Sequence, residues 1–217
     1  SVVISENTFS RMRGDGIALS KGVTATVRDN VLSDLGEAGI LVESGAQAMV
    51  TDNIITNPRT WGVRVNEAES SATVSRNVIR DAGLAGIEVS NGARATLLQN
   101  ELPASDTYGI LVQGEGASAA VWQNSVGPAR TGLAVTNGAV ATVDRNQFSQ
   151  VTGTGLAVDN ALATVTANTF VGPGLSAETT DQTATGIHVR AGVIGTVRNN
   201  TLSGFLSEGS CALRVDA

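Results

Sequence analysis

The chain has 217 residues, of which 41% are hydrophobic and only 3% aromatic, and its formal net charge is −6. This acidic balance, without a basic stripe at any regular spacing, argues against a nucleic-acid partner. No apolar run approaches the ~20 residues of a membrane-spanning helix. The single cysteine, Cys211, excludes a disulfide framework or a cysteine metal cluster within the chain.

A short motif recurs along the whole sequence, and its clearest copy runs from Gly86 to Asn100. It consists of glycine, a branched residue, any residue and a branched residue, then a tight turn, then alanine, threonine, a branched residue and finally asparagine. Self-similarity at a fixed period is typical of solenoid architectures. The motif glycines are Gly16, Gly39, Gly62, Gly86, Gly109, Gly132, Gly155 and Gly186. The motif asparagines are Asn7, Asn30, Asn53, Asn77, Asn100, Asn124, Asn146, Asn168 and Asn200.

The glycines are spaced by 23 or 24 residues and then once by 31, and the asparagines by 22 to 24 and then once by 32. Each repeat holds three runs with period-two alternation, which is typical of β-strands, and no part has helical spacing. If each repeat forms one coil, every strand can pair in parallel with its counterpart, ~4.8 Å along the axis. The sequence therefore predicts an all-β, single-stranded parallel β-helix of about nine coils.

We name the strand that begins at the motif glycine the first strand, the one before the asparagine the second, and the one after it the third. Alternation predicts four apolar inward rows and a row of small alanines. The first strand supplies Ile17, Ile40, Val63, Ile87, Ile110, Leu133, Leu156 and Ile187, and Leu19, Val42, Val65, Val89, Val112, Val135, Val158 and Val189. The second supplies Ile4, Val27, Val50, Val74, Leu97, Val121, Val143, Val165 and Val197, and the alanines Ala25, Ala48, Ala72, Ala95, Ala119, Ala141 and Ala163. The third supplies Phe9, Leu32, Ile55, Ile79, Leu102, Val126, Phe148, Phe170 and Leu202.

The asparagine row has a structural explanation. An Asn at the bend between the second and third strands can hydrogen-bond to the Asn of the next coil, as in the ladders of stacked sheets. Asn also tolerates the left-handed backbone conformation that a sharp corner needs. We therefore interpret the row as part of the scaffold and not as a functional site.

This arrangement resembles the PbH1-type repeat of the right-handed parallel β-helix family, which includes pectate lyases, alginate epimerases and NosD-like periplasmic proteins. The resemblance covers nearly the whole chain and implies a right-handed helix. In the enzymes of that family, substrate lies across the outer face of the first strand. The resemblance thus directs the search for a site to the outward first-strand positions of this chain.

The chain starts within a coil, because residues 1 to 7 match a second strand followed by the asparagine. It also stops within a coil, with Leu213 and Val215 as the last inward pair. No signal peptide opens the sequence. Solenoids need polar caps, and open strand edges attract other strands. We therefore expect residues 1–217 to be one β-helix domain from a longer chain, or one whose ends meet partners.

The first candidate site lies on the outward face of the first strands in the middle of the chain. Sugar rings can stack on aromatic side chains while amide, carboxylate and guanidinium groups bond to their hydroxyls. The alternative is a solvated face on which charges pair between neighbouring coils. The candidate ligand-binding residues are Trp61, Arg64, Asn66, Glu88, Tyr108 and Gln113, with Glu43 beside them.

The second candidate site consists of Asp159, His188 and Arg190, where His188 is the only histidine. An inserted loop at residues 171–185, carrying Glu178 and Asp181, is expected to overhang it. An acid, an imidazole and a guanidinium can abstract a proton from a uronic acid and neutralise its carboxylate. The alternative is a salt bridge beside a surface histidine.

The catalytic signatures of the resembling enzymes do not transfer to this chain. The sequence has no Asp-Pro-His-Asp motif, as in the alginate epimerases, and no clustered acids typical of calcium-dependent lyases. No pair of outward columns supplies the paired carboxylates of a glycoside hydrolase. These departures weaken the case for catalysis at the second site.

Two further outward features are weaker signals. The second strands carry a threonine column that Met49 and Ala120 interrupt, which argues against ice binding and is explained by the strand preference of β-branched residues. The third strands expose a small apolar stripe at Val31, Ile54 and Val78, suited to contact with another domain or subunit.

Two classes of function remain open. The mostly small and neutral outward columns favour a non-catalytic module of an extracellular or envelope protein that binds polysaccharide or another protein along the first-strand face. The alternative is a polysaccharide lyase, epimerase or hydrolase acting on uronic-acid polymers. In either case we expect no cofactor, no metal and no nucleic acid, and a secreted, periplasmic or cell-surface location.

Overall fold

The computed structural model describes residues 1–174, 183–191 and 193–216. Over these ranges the chain forms three parallel sheets of nine strands each and contains no helix. Each sheet collects one strand from every coil, so the predicted stack of about nine coils with three strands per coil is confirmed. No helix in the described ranges has the length and apolar character needed to cross a membrane.

We name the sheets after the strands that form them. The first sheet contains β3 (Ile17–Leu19), β6 (Ile40–Val42), β9 (Trp61–Asn66), β12 (Ala85–Ser90), β15 (Tyr108–Gln113), β18 (Ala129–Thr136), β21 (Val151–Asp159), β24 (Thr185–Arg190) and β27 (Cys211–Asp216). The second contains β1 (Val2–Ser5), β4 (Thr24–Arg28), β7 (Gln47–Thr51), β10 (Ser71–Ser75), β13 (Arg94–Leu98), β16 (Ser118–Trp122), β19 (Val140–Asp144), β22 (Leu162–Thr166) and β25 (Val193–Arg198). The third contains β2 (Thr8–Met12), β5 (Val31–Leu35), β8 (Ile54–Pro58), β11 (Val78–Arg80), β14 (Glu101–Leu102), β17 (Ser125–Val126), β20 (Gln147–Ser149), β23 (Thr169–Val171) and β26 (Thr201–Ser203).

Residues one repeat apart lie side by side. Val89, for example, pairs with Val65 on one side and with Val112 on the other. The pairing stays in step with the sequence period, with register shifts between Ala129 and Thr131 and between Ala163 and Thr164. Since a shift of one residue would turn inward side chains outward, this register is what keeps the apolar rows in the core.

The predicted inward rows form that core. The two first-strand rows are at most 6% exposed from Ile17 to Val189. The alanine row is also buried, apart from Ala95, which is half-buried. On the third strands, Phe148 and Phe170 stack on successive coils with ring centroids 4.8 Å apart.

The rows open at the last coil. Val197, predicted to face the core, is 38% exposed, and the predicted inward pair Leu213 and Val215 are 50% and 70% exposed. All three residues pair in register with the inward residues of the preceding coil, as predicted, but they are exposed because β25 and β27 are terminal strands of their sheets in the described chain. An inward side chain is fully covered only when a coil lies on both sides of it.

The asparagines form the predicted ladder. The side-chain amide Nδ2 of each donates to the Oδ1 of the Asn in the next coil at 2.9–3.1 Å, from Asn7 through to Asn200. The backbone N–H of each Asn donates to the same oxygen at 2.8–3.0 Å. The ladder residues from Asn30 to Asn168 are at most 2% exposed, so their amides satisfy the buried polar groups of the corner.

The left-handed corner lies one residue earlier than expected. The residue before each ladder Asn has a φ between 54° and 60°, as at Asp52, Arg76 and Gln99, whereas the ladder asparagines do not have positive φ. Our explanation of the Asn row through its tolerance of this conformation is therefore wrong. The preceding residue turns the backbone, and the Asn contributes through its buried amide.

The motif glycines mark a close approach between coils. A Cβ on Gly86 would lie 2.7 Å from the carbonyl oxygen of Gly109, and one on Gly109 would lie 2.7 Å from that of Gly132. Contacts this short with backbone atoms do not occur for real Cβ atoms, and these glycines have no positive φ. The glycine column is therefore required because no side chain fits there.

Candidate functional site

The first candidate site lies on the outer face of the first sheet, where β9, β12 and β15 pair in parallel. Register places its residues in three adjacent columns over three successive coils. The columns are Trp61–Ala85–Tyr108, Arg64–Glu88–Leu111 and Asn66–Ser90–Gln113. All six residues proposed from the sequence therefore lie on one small surface, with Glu43 half-buried on the preceding coil.

Arg64 links the aromatic and acidic parts of this surface. Its guanidinium carbon lies 4.1 Å from the centroid of the Trp61 ring, within cation–π distance. Its Nε donates to Oε1 of Glu88 at 3.3 Å. The side chain of Arg64 is 24% exposed and that of Glu88 only 1%, so the charged pair is screened little by solvent.

Glu88 is the most unusual residue of the face. Gln113 also donates to its Oε1, at 3.3 Å, and both hydrogen bonds are longer than the common range. The other oxygen, Oε2, is buried and has no partner among the described residues. The same holds for Nε1 of Trp61 and Oγ1 of Thr60. Buried polar groups are almost always hydrogen-bonded, so the unpartnered atoms of Glu88 and Trp61, which both contact Arg64, are unusual features of this face.

An apolar cluster adjoins the charged pair. Ala85, Leu111 and Ala134 are buried on the outer face of the sheet, and Trp61 and Tyr108 pack against them. The aromatic side chains thus flank the column two coils apart, as the sequence predicted. An apolar floor with a few polar groups at its edge is the composition of small-ligand sites.

Asn66 takes part in this face less directly. Its Oδ1 accepts hydrogen bonds from Oγ of Ser90 at 3.0 Å and from Nδ2 of Asn91 at 2.9 Å, and the residue is 7% exposed. These bonds connect the end of β9 to the turn that follows β12. Asn66 therefore stabilises the edge of the candidate site, and its side-chain Oδ1 already accepts two hydrogen bonds.

The residues of the second candidate site are also brought together. Asp159 and Arg190 are cross-strand partners, and Nη2 of Arg190 donates to Oδ2 of Asp159. Nε2 of His188 lies 2.9 Å from Oδ2 of Asp216, and Nε of Arg214 donates to the same oxygen at 2.9 Å. Glu178 and Asp181, expected above this cluster, lie outside the described residues.

Sequence analysis missed Asp216 and Arg214. They are the register partners of Arg190 and His188 on the next coil, so extending the outward columns by one repeat would have found them. Hydrogen bonding to Arg190 lowers the pKa of Asp159, and hydrogen bonding to His188 lowers that of Asp216. Two ion pairs, Arg190–Asp159 and Arg214–Asp216, thus lie beside His188, and their pairing favours the ionised form of both carboxylates.

Over residues 1–174, 183–191 and 193–216, no three His, Cys, Asp or Glu side chains gather closely enough to hold an ion.

A groove of 630 Å³ follows the outer face of the second sheet, and the sequence did not predict it. Small Thr, Ser and Ala residues of β4 to β19 line it, together with the longer Gln47, Met49 and Arg94. The interrupted threonine column is the signal that marks this face, but the pattern alone does not show that the face is concave. The groove is separate from both candidate sites on the first sheet.

The apolar stripe on the third sheet faces outward in part. Val31 and Ile54 are 42% and 46% exposed, whereas Val78 is half-buried.

Comparison with solved structures supports the fold. The structure resembles the surface protein and adhesin PfbA of Streptococcus pneumoniae with a TM-score of 0.70 at 10% sequence identity, covering 99% of this chain. The chain spans only 66% of that protein's length, so it corresponds to a part of it. The resistance protein QnrB1 matches with a TM-score of 0.24 and 13% identity over 89% of this chain and 93% of its own.

Comparison by sequence identifies the family. No curated protein matches the sequence significantly. The family described as "Right handed beta helix region" matches residues 1–126, which is more than half of the chain. This match supplies the handedness that the repeat spacing alone did not give. The chain belongs to the right-handed β-helix family.

Proposed function

We propose that this β-helix is a non-catalytic binding module of an extracellular or envelope protein, and that it holds a polysaccharide or another protein along its first-strand face. The observation that carries the proposal is the surface around Glu88, where a buried carboxylate, a guanidinium and two aromatic side chains meet on three coils. Residues 1–217 act in this proposal as one β-helix domain, with residues 171–185 as an insertion.

Several features support binding on this face. Trp61 and Tyr108 flank an apolar floor, and the polar atoms of Glu88 and Gln113 lie beside it. Aromatic residues and arginine are the side chains most enriched in binding hot spots. The fold is also that of a surface adhesin, which suits a surface location and a binding role.

The Asp159–His188–Arg190 cluster supports catalysis less well. Each of the three side chains is already paired with an oppositely charged group or hydrogen-bond partner. A general base must reach the proton that it abstracts, and a carboxylate held by arginine has a low proton affinity. We therefore assign this cluster to the stability of the last coils and keep the uronic-acid enzyme as the second hypothesis.

The proposal is tested by measuring binding to a glycan array and then, by calorimetry, to the glycans that bind. Trp61→Ala removes the ring that supports Arg64, so we expect the affinity to fall by about tenfold or more, as for a hot-spot aromatic. Trp122→Ala is the matched control, because Trp122 is 43% exposed on the second sheet and away from the site. It should leave the affinity unchanged.

Two outcomes would contradict the proposal. Equal losses in both tryptophan variants would show that binding does not use the first-strand face. Release of unsaturated product from uronic-acid polymers, abolished by His188→Ala and by Arg190→Ala, would instead establish the enzyme.

A further inference from the structure

Glu88 occupies an outward column, yet it is only 1% exposed. Its neighbours in that column are Arg64 and Leu111, and the buried Ala134 follows on the next coil. The face therefore accommodates apolar side chains at the same position of the repeat. A carboxylate here has lost its water and depends on protein groups for compensation.

That compensation is incomplete. Both available donors, Nε of Arg64 and Nε2 of Gln113, reach Oε1, and each does so at 3.3 Å. Oε2 is buried without a partner among the described residues. A buried acceptor that lacks its hydrogen bond destabilises a fold, and a poorly compensated buried ion pair is often less stable than an apolar replacement. Stability of the helix therefore does not explain a glutamate at position 88.

We infer that Glu88 determines ligand specificity, and that Oε2 is the acceptor for a hydroxyl of a glycan whose ring lies on Trp61 and Tyr108. This inference rests on the proposed function and names the ligand class and the recognition group. The glycan supplies the hydrogen bond that the protein leaves unmade. Because Oε2 is buried, a neighbouring side chain must move to admit the hydroxyl.

The test is Glu88→Gln. The amide oxygen can still accept from Arg64 and Gln113, but the amide nitrogen replaces Oε2 and cannot accept a hydrogen bond. The probes are cello-, xylo-, manno-, chito- and galacturono-oligosaccharides, measured by calorimetry, with the melting temperature of each variant measured alongside. Glu101→Gln, an exposed residue on the third sheet, is the matched control.

We expect Glu88→Gln to weaken binding of the recognised oligosaccharide at least tenfold while the melting temperature stays equal to that of the wild type or rises. Glu101→Gln should change neither quantity. Unchanged affinity in Glu88→Gln would overturn the inference but leave the proposed binding face standing. A clear fall in melting temperature would overturn it by showing a structural role. If the wild type binds none of the oligosaccharides, the proposed glycan function fails, and this inference fails with it.

Discussion

Charged residues on the first sheet pair between coils. Arg190 bonds to Asp159 on the preceding coil, as Arg64 bonds to Glu88 on the following one. The side chain of Arg190 is 64% exposed and that of Arg64 only 24%. Both pairs join neighbouring strands, but Arg190–Asp159 is solvated whereas Arg64–Glu88 is nearly buried. Exposed pairs contribute little to stability, whereas a buried charge must be compensated closely.

The Arg190–Asp159 pair predicts a dependence of stability on pH. Hydrogen bonding to Arg190 lowers the pKa of Asp159 in the folded state below its unfolded value of about 3.9. The carboxylate therefore stabilises the fold fully above about pH 5, and this contribution is lost as the pH falls through the folded pKa. Arg190→Gln should lower the melting temperature slightly at neutral pH, and the difference from wild type should shrink below about pH 4.

Thermal unfolding between pH 3 and pH 7 measures this difference. Arg80→Gln, on an exposed residue of the third sheet, is the control and should show no such trend. A difference that grows on acidification would contradict the assigned partner of Arg190.

The corner between the second and third strands links successive coils through side-chain hydrogen bonds, in addition to the pairing of the three sheets. Asn100 donates from Nδ2 to Oδ1 of Asn124 at 2.9 Å and to the carbonyl of Val74 at 2.8 Å. Its own Oδ1 accepts two hydrogen bonds from Asn77. One buried side chain thus satisfies polar groups of the coils on both sides of it.

Asn100→Ala should destabilise the helix by about 3 kcal/mol or more, because several buried polar groups would lose their partners and each costs about 1–3 kcal/mol. Asn7→Ala, at the exposed end of the same ladder, should cost about 1 kcal/mol. Denaturant unfolding measures both values, and hydrogen exchange at the Asn77 amide reports the local effect. Similar losses at both positions would show that burial does not control the contribution of the ladder.

Over the described residues, the molecule is a stack in which each coil pairs with the coils next to it. The core is therefore deepest in the middle coils and open at the last one. Ile110 is fully buried, and Leu213, at the same inward position of the repeat, is 50% exposed. In stacks of this kind, stability is a sum of terms within coils and between adjacent coils.

We expect Ile110→Ala to destabilise the protein by about 2–5 kcal/mol, the usual range for truncating a large buried aliphatic side chain. Leu213→Ala should cost about 0.5 kcal/mol or less, as for a surface substitution. Chemical denaturation compares the two variants, and their difference should persist in a background that carries Asn7→Ala. Equal destabilisation would mean that the last coil is covered in solution.

The sequence by itself determined the stack. One glycine, one asparagine and four apolar positions recur at a nearly constant spacing, and parallel pairing in register converts that spacing into columns. The residues of both candidate sites were also found in this way, because outward positions follow from the same alternation. The register of the strands follows from the spacing of the repeats, so the sequence pattern is enough to predict which residues lie side by side.

Only the tertiary structure decided how deeply each outward residue lies and what it contacts. Glu88 and His188 occupy the same position of the repeat, yet Glu88 is buried and accepts hydrogen bonds from Arg64 and Gln113, whereas His188 pairs with Asp216. The alternating sequence pattern likewise did not predict the concave outer face of the second sheet or the exposure of Val197. The burial of an outward residue depends on how far the side chains of neighbouring coils extend over it, and that of an inward residue on whether a coil lies on both sides. An alternating pattern of apolar and polar residues contains neither kind of information.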